Sequence, residues 1–248
     1  MDNIFFAIHG DIPREGPGDA ESTRRAFSML TQLPSDPAIL DVGSGPGMQT
    51  LELAKMCNGT ITALDNHGEF LDELEHRAQG EDLDGKIKTT HGSMFSMPFD
   101  DESFDLIWSE GAIFIIGFEE GLKEWERFLK PSGYMAVTHI SWLKSDIRHE
   151  PQAFWSQAYP KGLRSVDKSL KIAANAGYKE VGHFTLPESA WWDDYYTPLE
   201  KKLPPLREKY KDNSAALARI EDTQQEINLY RKYSDCYGYV FYVLQKVF

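Results

Sequence analysis

The sequence predicts an α/β fold, a mostly parallel sheet doubly wound with helices on both faces. Three observations carry this. Short apolar strand-like runs alternate with amphipathic helix-like segments between residues 36 and 140. A glycine-rich turn, Gly43-Ser44-Gly45-Pro46-Gly47, joins the first of these strands to the first of these helices. The chain has 248 residues, 41% of them apolar, enough to bury one large core.

The elements follow in order. Residues 1–20 include Gly16-Pro17-Gly18, which reads as a loop within an N-terminal arm (residues 1–33). Glu21 to Leu33 reads as a helix, with Ala26, Phe27, Met29, Leu30 and Leu33 as its apolar stripe, stopped by Pro34-Ser35-Asp36-Pro37. Strands are expected over Ala38–Val42, Thr60–Asp65, Lys86–His91, Phe104–Ser109 and Tyr134–Ile140. Helices are expected over Gly47–Cys57, Gly68–Gln79 and Glu119–Leu129, the last ended by Lys130-Pro131-Ser132-Gly133. Beyond Ile140 the alternation loosens. Lys168–Asn175 suggests a helix and Gly177–Leu186 a strand. Residues 188–235 are helix-like, and Gly238–Val247 is a last strand. The break near Pro187 reads as a helical insertion between two strands of one sheet, so residues 1–248 are expected to form a single domain.

Composition narrows the function classes. The formal charge of −13 repels phosphate backbones, which disfavours nucleic acid as the main partner. No apolar run approaches the roughly 20 residues of a membrane span. MDNIFFAIHGD lacks a basic start and an adequate apolar stretch, so no secretory signal is read there. Cys57 and Cys236 form neither a metal pattern nor a disulfide framework, and a cytoplasmic location is the simple expectation. The sequence leaves the oligomeric state open, a homodimer included.

The turn is the most informative stretch. Glycines let the backbone take positive φ and approach a ligand, and the following helix N-terminus offers unpaired N–H groups. A dinucleotide frame, G-x-G-x-x-G/A read from Gly43, places Met48 where a small residue is needed, so that frame fails. The pattern that fits is D-x-G-x-G-x-G, from Asp41 through Gly43, Gly45 and Gly47. An acidic residue beneath the turn suits a ligand with an ammonium group better than a pyrophosphate. Asp65, at the end of the second expected strand, can accept both hydroxyls of a ribose; it can equally cap the next helix.

This stretch resembles motif I of class I S-adenosylmethionine-dependent methyltransferases. The resemblance extends over residues 36–140 and, through the arm, to a small-molecule-type subgroup. It implies a Rossmann-like sheet of seven strands, the last one antiparallel, and S-adenosyl-L-methionine as cofactor. The implied cofactor residues are Asp41, Gly43, Ser44, Gly45, Gly47, Asp65, Asn66, Gly92, Ser93, Met94, Ser109 and Glu110. His91 to Asp105 resembles the segment after the third strand, although Ser93 stands where the family usually has an aspartate that contacts adenine. Met94 can pack on the adenine ring or in the core. Glu110 belongs to the substrate end or to the scaffold, and the arm is expected to fold over the cofactor.

Methyl transfer is an in-line displacement for which a protein mainly supplies orientation and electrostatics. No catalytic residue is therefore assigned. His139 and His149 are the positions to test for a base, and a structural role is the simpler reading of each. The C-terminal aromatics Phe154, Trp155, Tyr159, Trp191, Trp192, Tyr195 and Tyr196 either cover a flat or cationic small molecule or pack the insertion onto the sheet. Two other readings remain: a cofactor-binding module or non-catalytic partner subunit, and a nicotinamide-dependent oxidoreductase.

Overall fold

The computed structural model describes residues 3–159 and 162–247. Met1, Asp2 and Phe248, the ends of the single-domain reading, lie outside the described residues. The chain runs α1 (Asn3–His9), α2 (Ala20–Ser28), β1 (Ala38–Val42), α3 (Met48–Met56), β2 (Thr60–Asp65), α4 (Gly68–Gly80), β3 (Ile87–His91) and β4 (Phe104–Ser109). Next come α5 (Phe118–Trp125), a 3₁₀ turn at Glu126–Phe128, β5 (Leu129–Trp142), α6 (His149–Ala158), β6 (Arg164–Ser165), α7 (Val166–Asn175) and β7 (Tyr178–Thr185). The insertion holds α8 (Ser189–Trp191), a π-helical turn at Trp192–Tyr196, α9 (Thr197–Lys209) and α10 (Ser214–Tyr233), and β8 (Tyr237–Lys246) closes the chain.

The sheet order is β3-β2-β1-β4-β5-β8-β7, with the two-residue β6 against the end of β5. Strands β1 to β5 are parallel and β8 runs antiparallel between β5 and β7. The expected seven strands and antiparallel last strand are present, and β6 is an eighth.

Side-chain alternation sorts the core into two layers. Ile39, Leu106, Trp108, Tyr134, Ala136, Phe241 and Val243 face one layer, with Leu53 of α3, Leu199 and Leu203 of α9, and Ile220 and Ile227 of α10. Their neighbours Leu40, Val42, Ile107, Met135, Val137, Val240, Tyr242 and Leu244 face the other, against Phe118 and Leu122 of α5 and Ala173 of α7. Buried on both faces, these strands read as continuous apolar runs.

The structure departs from the sequence reading at five places. The helix expected over Glu21–Leu33 ends at Ser28, because the N–H groups of Met29 and Leu30 turn back in 3₁₀ fashion to the carbonyls of Ala26 and Phe27, at 3.2 and 3.0 Å. The arm is not all loop: α1 is held by burial of Ile4 and Ile8 in the main core. The helix expected to Leu129 tightens into the 3₁₀ turn after Trp125. Helix α6 and strand β6 were not anticipated, α6 because its apolar stripe is short. The turn Lys130–Gly133 is an interruption inside β5, with Ser132 at φ 61° and the register jumping from Leu129 opposite Phe104 to Tyr134 opposite Leu106. Among the described residues no helix is long and apolar enough to cross a membrane.

Candidate functional site

The strand order reverses direction between β1 and β4, and in open α/β sheets ligands bind in the crevice beyond such a point. A cavity of about 1020 Å³ opens there. Its floor is the glycine turn. Gly43, Gly45 and Gly47 have φ of 71°, 53° and 85°. The N–H groups of Gly43 and Ser44 both donate to the Leu64 carbonyl, at 2.8 and 3.1 Å, which ties the turn to β2. A Cβ on Gly47 would lie 2.2 Å from Leu74 Cδ1, so that glycine serves packing of α3 on α4. A Cβ on Gly45 would meet only Glu15 Oε2, at 3.8 Å. Gly45 therefore presents bare backbone to the crevice.

Asp65 closes the next side. Its Oδ2 accepts from Gly45 N at 2.9 Å and its Oδ1 from His67 N at 2.9 Å. It thus joins the two ligand-facing turns while keeping a place on the cavity wall. Asn66, Gly92, Ser93 and Met94 continue that wall. Gly92 N donates to the Asp65 carbonyl at 2.9 Å, and the Met94 carbonyl accepts from Trp125 Nε1 at 3.2 Å. Ser93 Oγ accepts from Phe95 N at 3.3 Å.

The opposite end is electrostatic. Glu110 leaves β4 into a buried network, accepting from Trp108 Nε1 (2.9 Å), Thr23 Oγ1 (2.7 Å) and Arg14 Nη1 (3.0 Å). The Arg14 and Glu110 side chains are only 6% and 3% exposed. Arg14 lines the cavity, yet its Nε and Nη2 are buried without a partner. Ser44 Oγ is likewise buried and unpartnered on the wall. Such groups cost free energy unless a ligand completes them. Glu15 follows on the arm. Burial pushes its carboxyl up to about 9, and the neighbouring Asp65 and Glu73 add to this.

Of the twelve cofactor residues read from the sequence, nine line this cavity: Gly43, Ser44, Gly45, Asp65, Asn66, Gly92, Ser93, Met94 and Glu110. Three do not. Asp41 is fully buried beneath the turn, where Oδ2 accepts from Thr50 Oγ1 at 2.6 Å and Gln49 Nε2 at 3.2 Å. Burial pushes its carboxyl up to about 7. It anchors α3 through Oδ2, while its Oδ1 is buried without a partner. Ser109 is spent on the Val42 carbonyl, 2.9 Å away, clamping β4 to β1. Gly47 caps α3. Neither candidate base lines the cavity. His139 is buried, stacked on Phe118 at 5.1 Å and pulled down to about 3 by burial and then by Arg164. His149 is exposed at the start of α6 and off the cavity wall.

Among the cavity residues missed from sequence are four titratable ones, His9, Arg14, Glu15 and Glu226, and the polar face of α10 beside the last. Only an arginine and a glutamate beside a Gly-Pro-Gly loop hinted at the middle pair. Of the aromatics, Phe154, Trp155, Tyr159, Trp191 and Tyr195 line the cavity, whereas Tyr196 is fully buried behind it. No group of described residues is arranged to hold a metal ion. The donor set suits a ligand with a ribose for Asp65, a flat ring beside Met94 and a carboxylate for Arg14.

A family model described as a methyltransferase domain matches residues 40–137. Sterol 24-C-methyltransferase erg-4 of Neurospora crassa is 34% identical over 177 residues, which cover 68% of this chain and 46% of that protein. The chain spans under half the length of this relative. A methyltransferase from Geobacter sulfurreducens, solved with S-adenosyl-L-homocysteine, superposes with a TM-score of 0.83 over 98% of both chains at 18% identity. The [4+2]-cyclase SpnF superposes at 0.74 over 98% of this chain and 92% of its own, at 16% identity. Such a likeness reports the fold, and the fold carries more than one chemistry.

Proposed function

The chain carries a class I methyltransferase domain, and from that premise we propose that it transfers a methyl group from S-adenosylmethionine to a small-molecule acceptor held beneath the helical insertion. The observation that carries the reading is one cavity that joins the bare backbone of Gly45, the Asp65 carboxylate and the unpartnered face of Arg14 to an aromatic-lined second lobe. Asp65 takes the ribose hydroxyls, Met94 packs against the adenine, and Arg14 receives the methionine carboxylate as a charge-assisted pair. Glu110 holds Arg14 in place from behind and is a positioning residue. Bound S-adenosylmethionine supplies an electrophilic methyl on its sulfonium. The protein contributes orientation, with the acceptor confined by α6, α10 and the π-helical turn.

The test is calorimetric titration with S-adenosylhomocysteine and NAD, followed by turnover against amines, phenols, carboxylates and alkenes. Micromolar binding of the former alone, with methyl transfer to one acceptor class, is the expected result. Silence with S-adenosylhomocysteine in folded protein sinks the reading. Binding of S-adenosylhomocysteine with no turnover across the panel would instead select cofactor binding without methyl transfer, since one fold carries more than one chemistry.

A further inference from the structure

The second lobe of the cavity contains a feature that cofactor binding does not use. Helix α10 turns Arg219, Asp222, Thr223 and Glu226 toward the cavity. Their spacing, i, i+3, i+4 and i+7, is that of a single helix face. A face on this spacing that turns into a protein is ordinarily apolar; here it is polar from end to end. Arg219 and Asp222 are exposed, one charge of each sign, while Thr223 and Glu226 are shielded.

Glu226 lies among rings. Its Oε1 accepts from Tyr196 Oη at 2.8 Å, and Oε2 has no hydrogen bond among the described residues. Burial first, and the Glu226 charge after it, pushes the hydroxyls of Tyr159, Tyr195, Tyr196, Tyr237 and Tyr239 upward, so all five lie close enough to feel that carboxylate. Trp191 is stacked on Tyr230 at 4.1 Å and on Tyr239 at 5.2 Å, so its faces are taken up by neighbouring rings and it holds Tyr239 in place. It lines the cavity, is 1% exposed, and its Nε1 has no partner. Burial raises the Glu226 carboxyl, a cost that an opposite charge would relieve. Nearby, Lys202 is turned away, its ammonium donating to the Gly10 carbonyl.

We propose that this end of the cavity is the acceptor's head-group subsite, and that Glu226 with Tyr195 and Tyr239 selects an acceptor bearing a cationic nitrogen. Ring faces and a single carboxylate attract a cation together, and an uncharged group of the same shape gains only burial. The net charge of −13 draws cations toward the protein from a distance. The inference rests on the methyltransferase reading only in calling the ligand an acceptor.

The experiment uses an isosteric pair, benzyltrimethylammonium and neopentylbenzene, titrated into the full chain with and without saturating S-adenosylhomocysteine. The quaternary nitrogen cannot accept a methyl, so the readout is binding alone. The ammonium is expected to bind about tenfold more tightly than the hydrocarbon, the scale of a desolvated cation–ring contact. Glu226→Gln keeps an acceptor for Tyr196 and is expected to cut that preference severalfold, leaving the part due to the rings, with S-adenosylhomocysteine affinity unchanged. Equal binding of the two probes in the parent protein, or a preference undiminished by Glu226→Gln, overturns the proposal. Failure of S-adenosylhomocysteine to bind counts against the methyltransferase reading instead, since the preference is still measured without it.

Discussion

At the scale of single residues, Asp65 has the heaviest duty. Its two oxygens already accept from Gly45 N and His67 N, so it fixes the crevice before any ligand arrives. Asp65→Asn replaces one acceptor by a donor facing an N–H. The expected result is a fold that survives and an S-adenosylhomocysteine affinity lowered about 10–100-fold, the range of a lost charge-assisted bond. Unchanged affinity by calorimetry would remove Asp65 from the ribose role. Glu15 gives a prediction in pH. Its folded pKa of about 9 lies above its ordinary 4.5. Between those values the native protein keeps a proton that the unfolded chain has released, so this residue's contribution to stability falls as pH rises. Glu15→Gln is expected to match the parent Tm near pH 5 and to exceed it by a few degrees at pH 9; parallel pH profiles would refute this. Asp65 was legible because it closes a strand at a fixed distance past the glycines. Glu15, and Arg14 with its partner 96 positions away, carry no such local signature.

At the scale of elements, the glycine turn shows how one motif serves two ends. Gly45 and Gly47 both have positive φ, which costs roughly 1–2 kcal/mol for any other residue. They differ in what lies beyond the missing Cβ. Gly45→Ala places a methyl in the crevice, whereas Gly47→Ala drives one into Leu74. Calorimetry and thermal melts should therefore separate them: Gly45→Ala loses most of its S-adenosylhomocysteine affinity with a modest fall in Tm, and Gly47→Ala loses mainly Tm. The reverse order would mean that the turn does not face the ligand as described. Strands β1, β2 and β4 were legible to the residue because parallel strands buried on both faces are short, apolar and bounded by turn residues. The insertion was legible only as helical. Its π-helical turn, which sets Tyr195 on the wall and Tyr196 behind it, follows from packing on Trp191 and Tyr230 and leaves no period in the sequence.

At the scale of the whole molecule, the arm couples the two lobes. Ile4, Ile8 and Ile12 join the core with Leu199 and Leu203 of α9, so the arm is docked by burial. The same segment sets Arg14 and Glu15 beside the glycine turn, and Phe5, Ile8 and His9 on the cavity wall. Composition and charge could bound this arrangement but not draw it, because it depends on residues near both ends of the chain meeting across the sheet. One wall shared by two sites has a consequence. A ligand filling the cofactor lobe stabilises the arm as well as the strand ends, since binding to the native state alone adds RT ln(1 + [L]/Kd). At one hundred times its Kd, S-adenosylhomocysteine should raise Tm by about 5–10 °C for a domain of this size. Amide exchange should slow across Asn3–His9 and residues 14–17 as well as at Gly43–Gly47, while β5 and β8, already buried, hardly change. In Arg14→Ala the arm's share of that protection should vanish and that of the glycine turn should remain. Protection confined to the strand ends in the parent protein would mean that the arm is scaffold alone, and that the carboxylate of the cofactor is held elsewhere.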